Sequence, residues 1–436
     1  MKLENHSLAH RRVRATDKMA SKTVVIASTA RTGLAKSFRG GFNKTHGAAM
    51  LGHTIQHAIE RAGVHPSEVD DVIAGCGFGE GATGMNIARN AALWAGCPAT
   101  TSGATINRFC SSGLQAVASA AMHVGSGAAD VAIGCGVESI SMVQPVVAKT
   151  TVVEKKLMGS YPALWMPMIE TADIVAAKYG VSREDQDAYA VECQARTAAA
   201  QAAGFYDDEI VPMDTVMSVK DKETGEVSEV AYTVTKDECN RPGTTLASVE
   251  KLAPVRGDDD AAATITAGNA SQLSDGASSC VVMDGDLAAK RGSAPLGIFK
   301  GFAVGGCAPE EMGVGPVVAV PKLLAKAGLT VDDIDLWEIN EAFAVVPLHA
   351  MRVLGVDPAK CNVNGGSIAI GHPFGMTGSR MVGHVLLEGQ RRKAKHVVAR
   401  PPASVPFSTR PDDEELPKDQ NSNFDPFLNP RVEEIV

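Results

Sequence analysis

Cys110 lies in NRFCSSGLQAVASAAMHVGSG (107–127), just before an apolar run with helical periodicity. A helix mouth offers unpaired backbone N–H groups and the positive end of the dipole, and both favour a thiolate, the reactive form of cysteine. The plain alternative is packing, because free cysteine is among the most buried residue types. The rest of the chain tips the balance towards chemistry. His372 sits in NVNGGSIAIGHPFGMTGSR (362–380), in a glycine-dense loop ahead of a second helix. Glycines permit close backbone approach, so an imidazole there is poised rather than packed. His53, His57 and His123 fall at helical positions and read as ordinary core or surface residues. Asn340 and Glu341 follow a strand in WEINEAFAVV (337–346), and a polar pair in so apolar a setting needs partners or a task. TAGNASQLSDGAS (266–278) adds a small-residue loop with Ser271. A thiol at a helix mouth, a poised imidazole and a buried polar pair together favour chemistry at the cysteine over packing.

The elements that must position these groups alternate. KTVVIAST, VDDVIAGCGF, TSGATIN and ADVAIGCGVES read as strands, and HGAAMLGHTIQHAIERAG, TGMNIARNAALWAG and SSGLQAVASAAMHVGSG as helices. This order predicts an α/β layered core with a mostly parallel sheet. From about 145 to 255, helical pieces mix with a polar hairpin-like stretch, VKDKETGEVSEVAYTV, which reads as an inserted loop domain. The chain then repeats itself. AGVHPSEVDDV at Ala62 and AGLTVDDIDLW at Ala327 share a pattern at an offset of 265 residues, and the same offset places Gly113 on Gly378. A repeat this long implies two similar domains facing a shared cleft. The expected division is a disordered extension (1–18), a first half (19–290), a second half (291–399) and an atypical, disordered tail (400–436).

Composition excludes several functions. With 436 residues and 45% hydrophobic content the chain can bury large cores, and a net charge of −9 argues against a nucleic-acid partner. Nine cysteines, an odd number with no Cys-x-x-Cys pair, point to free thiols in a reducing compartment and to no metal site. Residues 109–129 carry no formal charge, yet their serines, glycines, Gln115 and His123 mark a buried helix rather than a membrane span. No secretory signal is evident in the polar N-terminal stretch, and a cytoplasmic location is expected by default.

NRFCSSGLQA, GNASQLSDGA, NEAFA and NGGSIAIGHPFGMTGSR resemble the signatures of the thiolase family, in the family's order, from about Met19 to Val398. CSSG and MPMIETAD (166–173) are more similar to degradative acetyl-CoA acyltransferases than to biosynthetic ones. The resemblance implies a duplicated five-layered αβαβα core with an inserted loop domain. It implies cleavage of 3-ketoacyl-CoA by CoA, or the reverse Claisen condensation. Cys110 would carry the acyl group as a thioester, His372 would take its proton and help bind the thioester oxygen, and Asn340 would hold a water that completes the oxyanion site. Met168, Ser271, Ala342 and Phe343 would line the pantetheine tunnel. CoA and acyl-CoA thioesters would be substrates with no separate cofactor, and the chain would form a homodimer or homotetramer. A ketoacyl-synthase-like condensing enzyme and a CoA-binding homologue with impaired catalysis are the competing readings.

The chain departs from the family at its end. The family's second cysteine, in a Cys-x-Gly-Gly-Gly stretch at the last core strand, serves as acid and base for the carbon–carbon step. Here KAKHVVAR is followed by PPASVPFSTRPDDEELPKDQ and no cysteine follows Cys361. Paired prolines cannot continue a central strand. Loss of a positioned proton donor typically costs about 10²–10⁴-fold. Cys361 lies just before NVNGG, but its spacing to His372 gives it no reason to substitute.

Overall fold

The computed structural model describes residues 22–147, 152–257, 260 and 262–400. The expected extension at 1–18 and the tail beyond Arg400 lie outside these residues. The strands are β1 (Val24–Arg31), β2 (Ala35–Lys36), β3 (Asp71–Gly75), β4 (Ser102–Ile106), β5 (Val131–Glu138), β6 (Met213–Lys220), β7 (Val227–Val234), β8 (Ser274–Asp284), β9 (Gly297–Ile298), β10 (Leu336–Ile339) and β11 (Val397–Arg400). The longer helices are α1 (Gly47–Arg61), α2 (Ile87–Trp94), α3 (Ser112–Gly125), α4 (Met168–Tyr179), α5 (Arg183–Ala202), α6 (Gly315–Ala327), α7 (Val345–Leu354) and α8 (Phe374–Arg392).

The main sheet has the order β4-β3-β5-β8-β1-β9, with β2 also paired to β8. β3 runs parallel to β4 and β5, but β5–β8, β8–β1 and β1–β9 are antiparallel. The sheet is therefore mixed, not mostly parallel as alternation alone suggested. The reason is the long excursion between β5 and β8. A chain that leaves the core for so many residues is not held to the short crossover that keeps consecutive strands parallel. β6 and β7 form the separate polar hairpin of that excursion.

Layers follow from the apolar faces. Ile55 and Ile59 of α1 and Ala88 and Ala91 of α2 pack on one face of the main sheet with Val72, Ile133 and Val281. Ala116, Val117, Ala120 and Val124 of α3 pack on the other face with Ile26, Ile73 and Val282, joined by Val382 and Leu386 of α8. β10 and β11 form a second sheet on the far side of α8, and its outer face is closed by Val320 and Leu324 of α6 and Ala350 and Met351 of α7. The result is helix, sheet, helix, sheet, helix.

The repeat is visible in the register. Asp71 pairs with Ala132 in the first half, and Leu336 pairs with Val397 in the second, both offset by 265 residues. The halves meet where α3 crosses α8. A Cβ on Gly113 would stand 2.7 Å from Ser379 N and 2.8 Å from Gly375 O, and one on Gly378 would strike Leu114 N. The two glycines related by the repeat thus each receive the partner helix's backbone. The symmetry stops at β11. β5 runs eight residues and pairs with β8 on its second edge, whereas β11 runs four, ends at Arg400, and has no second partner among the described residues. Arg400 itself belongs to the strand, one residue beyond the boundary expected for the second half.

A buried charge cluster ties the halves to the excursion. Arg31 of β1 bonds Glu209 at 2.7 Å and Asp237 at 2.6 Å, and Glu209 also accepts from His384 of α8 at 2.9 Å. Burial works against the Glu209 charge, but Arg31 and His384 prevail and hold its carboxyl down at about 2. A depressed carboxylate pKa stabilises the fold above its unfolded value, and that gain is lost as pH falls from about 4.5 towards 2. Glu209→Gln should therefore destabilise the protein by about 3 kcal/mol at pH 7, with the difference narrowing below about pH 4.5, as read by urea unfolding across pH. Gly113→Ala should likewise cost about 1–3 kcal/mol or more, because backbone rather than a movable side chain opposes the methyl; an unchanged thermal midpoint would contradict the crossing described here.

Candidate active site

Cys110 lies in a single 3-10 turn, Phe109–Ser111, that leads directly into α3 and packs against α8. The turn is held open by local bonds. Asn107 accepts from Phe109 N at 2.8 Å and donates to Gly77 O at 2.8 Å. Ser112 Oγ accepts from Arg108 N at 2.7 Å and donates to Phe109 O at 2.6 Å. Phe109 takes φ +44°, a left-handed conformation costly for a bulky residue, which typically stores about 1–3 kcal/mol at functional turns. Cys110 keeps partial exposure, yet burial, and then the Glu138 charge, push its thiol up to about 12; only its own backbone N–H opposes them. Cys110 therefore rests as a neutral thiol.

His372 comes from the second half, and its main-chain N–H bonds Gln272 O at 3.0 Å in the small-residue loop. Its Nδ1 lies 2.7 Å from Thr377 Oγ1, while that hydroxyl donates to Pro373 O at 3.1 Å. With its proton so used, Thr377 can only accept, so Nδ1 carries the imidazole proton and Nε2 bears the lone pair. Asn340 Nδ2 faces that lone pair at 3.3 Å. The amide is oriented by Ser367, whose hydroxyl donates to Asn340 Oδ1 at 2.6 Å. Burial, reinforced by the Arg380 charge, pushes the imidazole down to about 3, so it stands neutral.

Ser271, Ala342 and Phe343 adjoin the loop that holds His372, and Met168 lies in a recess of its own. Ser271 N bonds Ala342 O at 3.0 Å, and Ala270 bridges to Phe343. Ala342 and Phe343 are buried in one apolar cluster with Val314 and Val346, against which Ile169 packs. Met168, beside Ile169, is exposed and lines a recess of about 270 Å³ with Leu164, Cys307, Pro309 and Met312. Cys361 is buried in the outer core beside Trp337.

Three supporting residues escaped the sequence reading: Thr377, Ser367 and Glu138. Glu341, read from the sequence as half of a polar pair in need of partners, accepts from Tyr189, Asn362 and Ile368 N at 2.7, 2.8 and 3.1 Å, and so fastens the NEAFA turn to the NGGS loop. Nothing in the local sequence marks Thr377 or Ser367, whose roles arise from helix geometry. Among the described residues no cluster of side chains is arranged to hold a metal ion.

The thiolase N-terminal domain family model matches residues 24–286, and the thiolase C-terminal domain model matches 293–401. The chain belongs to the thiolase family. It is 43% identical over 374 residues to the 3-ketoacyl-CoA thiolase of Bacillus subtilis (strain 168), covering 85% of this chain and 94% of the relative. It is 40% identical over 389 residues to the acetyl-CoA acetyltransferase of Chromobacterium violaceum, covering 86% and 95%. The crystal structure of human mitochondrial 3-ketoacyl-CoA thiolase in complex with CoA superposes with a TM-score of 0.77 at 34% identity, covering 88% of this chain and 95% of that one. The fold is thiolase-like α/β, and the protein is an acyltransferase with thiolase function.

Thr377→Val leaves Nδ1–H without an acceptor and releases the imidazole from its tautomer. The rate at which acetyl-CoA acylates the enzyme should fall about tenfold or more while the KM for acetyl-CoA holds, and Thr377→Ser should restore it.

Proposed function

We propose that Cys110, His372 and Asn340 perform acyl transfer between 3-ketoacyl-CoA and CoA. His372 Nε2 takes the thiol proton, and Cys110 Sγ attacks the 3-keto carbon. The C2–C3 bond then breaks, acetyl-CoA leaves as its enolate and takes up the proton held on His372, and the acyl group remains on Cys110 as a thioester. The thiol of CoA gives its proton to His372 and takes the acyl group, and that second proton passes to the Cys110 thiolate. A water held by Asn340 and His372 completes the oxyanion site, where fixed donors meet charge that develops only in the transition state. Met168, Ser271, Ala342 and Phe343 line the path of the pantetheine arm. The observation that carries this reading is the Thr377–His372–Asn340–Ser367 chain, which holds a buried imidazole in one tautomer with its Nε2 against an oriented amide. CoA is a substrate in this scheme, and no separate cofactor is called for.

We further propose that the chain works as a homodimer or homotetramer in the cytoplasm. Nine free thiols support a reducing compartment. No helix among the described residues is long and apolar enough to cross a membrane. Related thiolases include a peroxisomal one from Arabidopsis thaliana, 44% identical over 371 residues.

One sequence feature favours a second, narrower reading. No cysteine follows Cys361, so the acid and base that the family uses for carbon–carbon chemistry has no counterpart. In that reading the chain acylates Cys110 but turns over slowly. Thiolysis of acetoacetyl-CoA and of a longer 3-ketoacyl-CoA by the purified full-length chain separates the two. Turnover that falls at least about 10³-fold in Cys110→Ala supports complete thiolase chemistry. Labelling of Cys110 by acetyl-CoA without turnover supports the narrower reading. Absence of Cys110 labelling in folded protein defeats both.

A further inference from the structure

Glu138 ends β5 with its side chain completely buried. Its carboxylate gathers backbone donors from two separate stretches. Gly77 N donates at 2.8 Å and Phe78 N at 3.0 Å, from the loop that follows β3. Gly375 N donates at 2.8 Å, from the first turn of α8 in the other half. The Cys76 thiol adds a longer contact at 3.8 Å. Each stretch leads to a reacting group. Gly77 O receives Asn107, which in turn holds Phe109 N, one residue before Cys110. Gly375 stands three residues after His372, and Phe374 between them packs edge-on against both the His372 ring at 5.3 Å and the Phe78 ring at 5.7 Å.

We propose that Glu138 is a positioning residue for thiolase catalysis, one that fixes the Cys110 turn of the first half against the His372 loop of the second. Three backbone donors converge on one carboxylate, which gives the geometric constraint that a charge-assisted bond holds best. The inference rests on the assignment of Cys110 as the nucleophile. The same carboxylate acts on the thiol electrostatically: after burial, its charge is what holds the Cys110 thiol up. The titratable groups around the pair are the Cys76 thiol bonded to Glu138, His372 on the tethered loop, and Arg108 ahead of the turn. Glu138 therefore trades some thiol acidity for alignment. Gly77 belongs to the same device, because a Cβ there would stand 2.8 Å from Glu138 Oε2 and 3.3 Å from Phe374 Cβ.

The test uses the full-length chain and two readouts. One is the rate of Cys110 acylation by acetyl-CoA, and the other is the pH profile of Cys110 alkylation by iodoacetamide. Glu138→Gln keeps the volume, retains an oxygen for the Gly77 and Gly375 donors, and removes the charge. Its alkylation midpoint should move to lower pH, with acylation reduced less than about tenfold. Glu138→Ala and Gly77→Ala break the alignment, and acylation by acetyl-CoA should drop about 100-fold with little change in KM, the scale expected for a misplacement near 1 Å. An alkylation midpoint that stays in place in Glu138→Gln, or acylation that survives intact in folded Glu138→Ala or Gly77→Ala, overturns the proposal. Should Glu138→Ala not fold, the isosteric Glu138→Gln and Gly77→Ala decide it. Wild-type acylation that persists in Cys110→Ala would instead defeat the nucleophile assignment, a distinct result.

Discussion

The backbone-on-backbone crossing of α3 and α8 is the constraint from which the site follows. Each helix follows a group to which we assign a part in the reaction, Cys110 in the turn before α3 and His372 two residues before α8. Their separation is therefore set by how closely the helix axes approach. Gly113 and Gly378 allow an approach that any side chain would prevent. Gly136 of β5 contributes in the same way, since a Cβ there would strike Gly375 O. These glycines thus serve the meeting of the two halves rather than turns.

Around that crossing the protein keeps its candidate groups neutral. Cys110 is held as a thiol and His372 as an imidazole, both mainly through burial. Charged side chains are kept one layer away. Glu338 bonds Arg380 at 3.1 Å, Glu138 is satisfied largely by backbone donors, and Glu341 is held by Tyr189, Asn362 and the Ile368 N–H. In such surroundings the oriented Asn340 amide and the His372 lone pair count for more than they would in water, because the local dielectric is lower. Preorganised hydrogen bonds, rather than an ion pair formed in advance, are what this arrangement offers an incoming thioester.

Much of this was legible in the sequence because it depends on local chemistry. A cysteine at a helix mouth, a histidine among glycines and an asparagine ending a strand each announce themselves within ten residues. The duplication was legible too, since the 265-residue offset reappears in the strand register. The antiparallel entry of β8 was not legible, because strand direction is decided by where the intervening excursion returns and not by the strand's own residues. Glu138 was hidden for a related reason. It reads as the polar end of a buried strand, and its significance lies in donors contributed by residues 77, 78 and 375, which only the folded chain brings together.

The broken symmetry of the halves separates two kinds of chemistry. In the first half, β5 continues through Gly134 and Gly136 to deliver Glu138 at the boundary between the domains. In the second half, β11 copies the register of β5 for four residues and then ends at Arg400. Arg400 is buried, and among the described residues its guanidinium donates to the carbonyls of Ala303 and Gly315, at 3.4 and 3.2 Å. Burial pushes its pKa down to about 10. The proposed acyl-enzyme step draws on residues 107–112, 340–341 and 366–377, all of which are secured by the helix crossing and the bonds behind it. None of these residues lies beyond Arg400. A change confined to the chain after Arg400 therefore bears on the carbon–carbon step and leaves in place the bonds that hold Cys110 and His372.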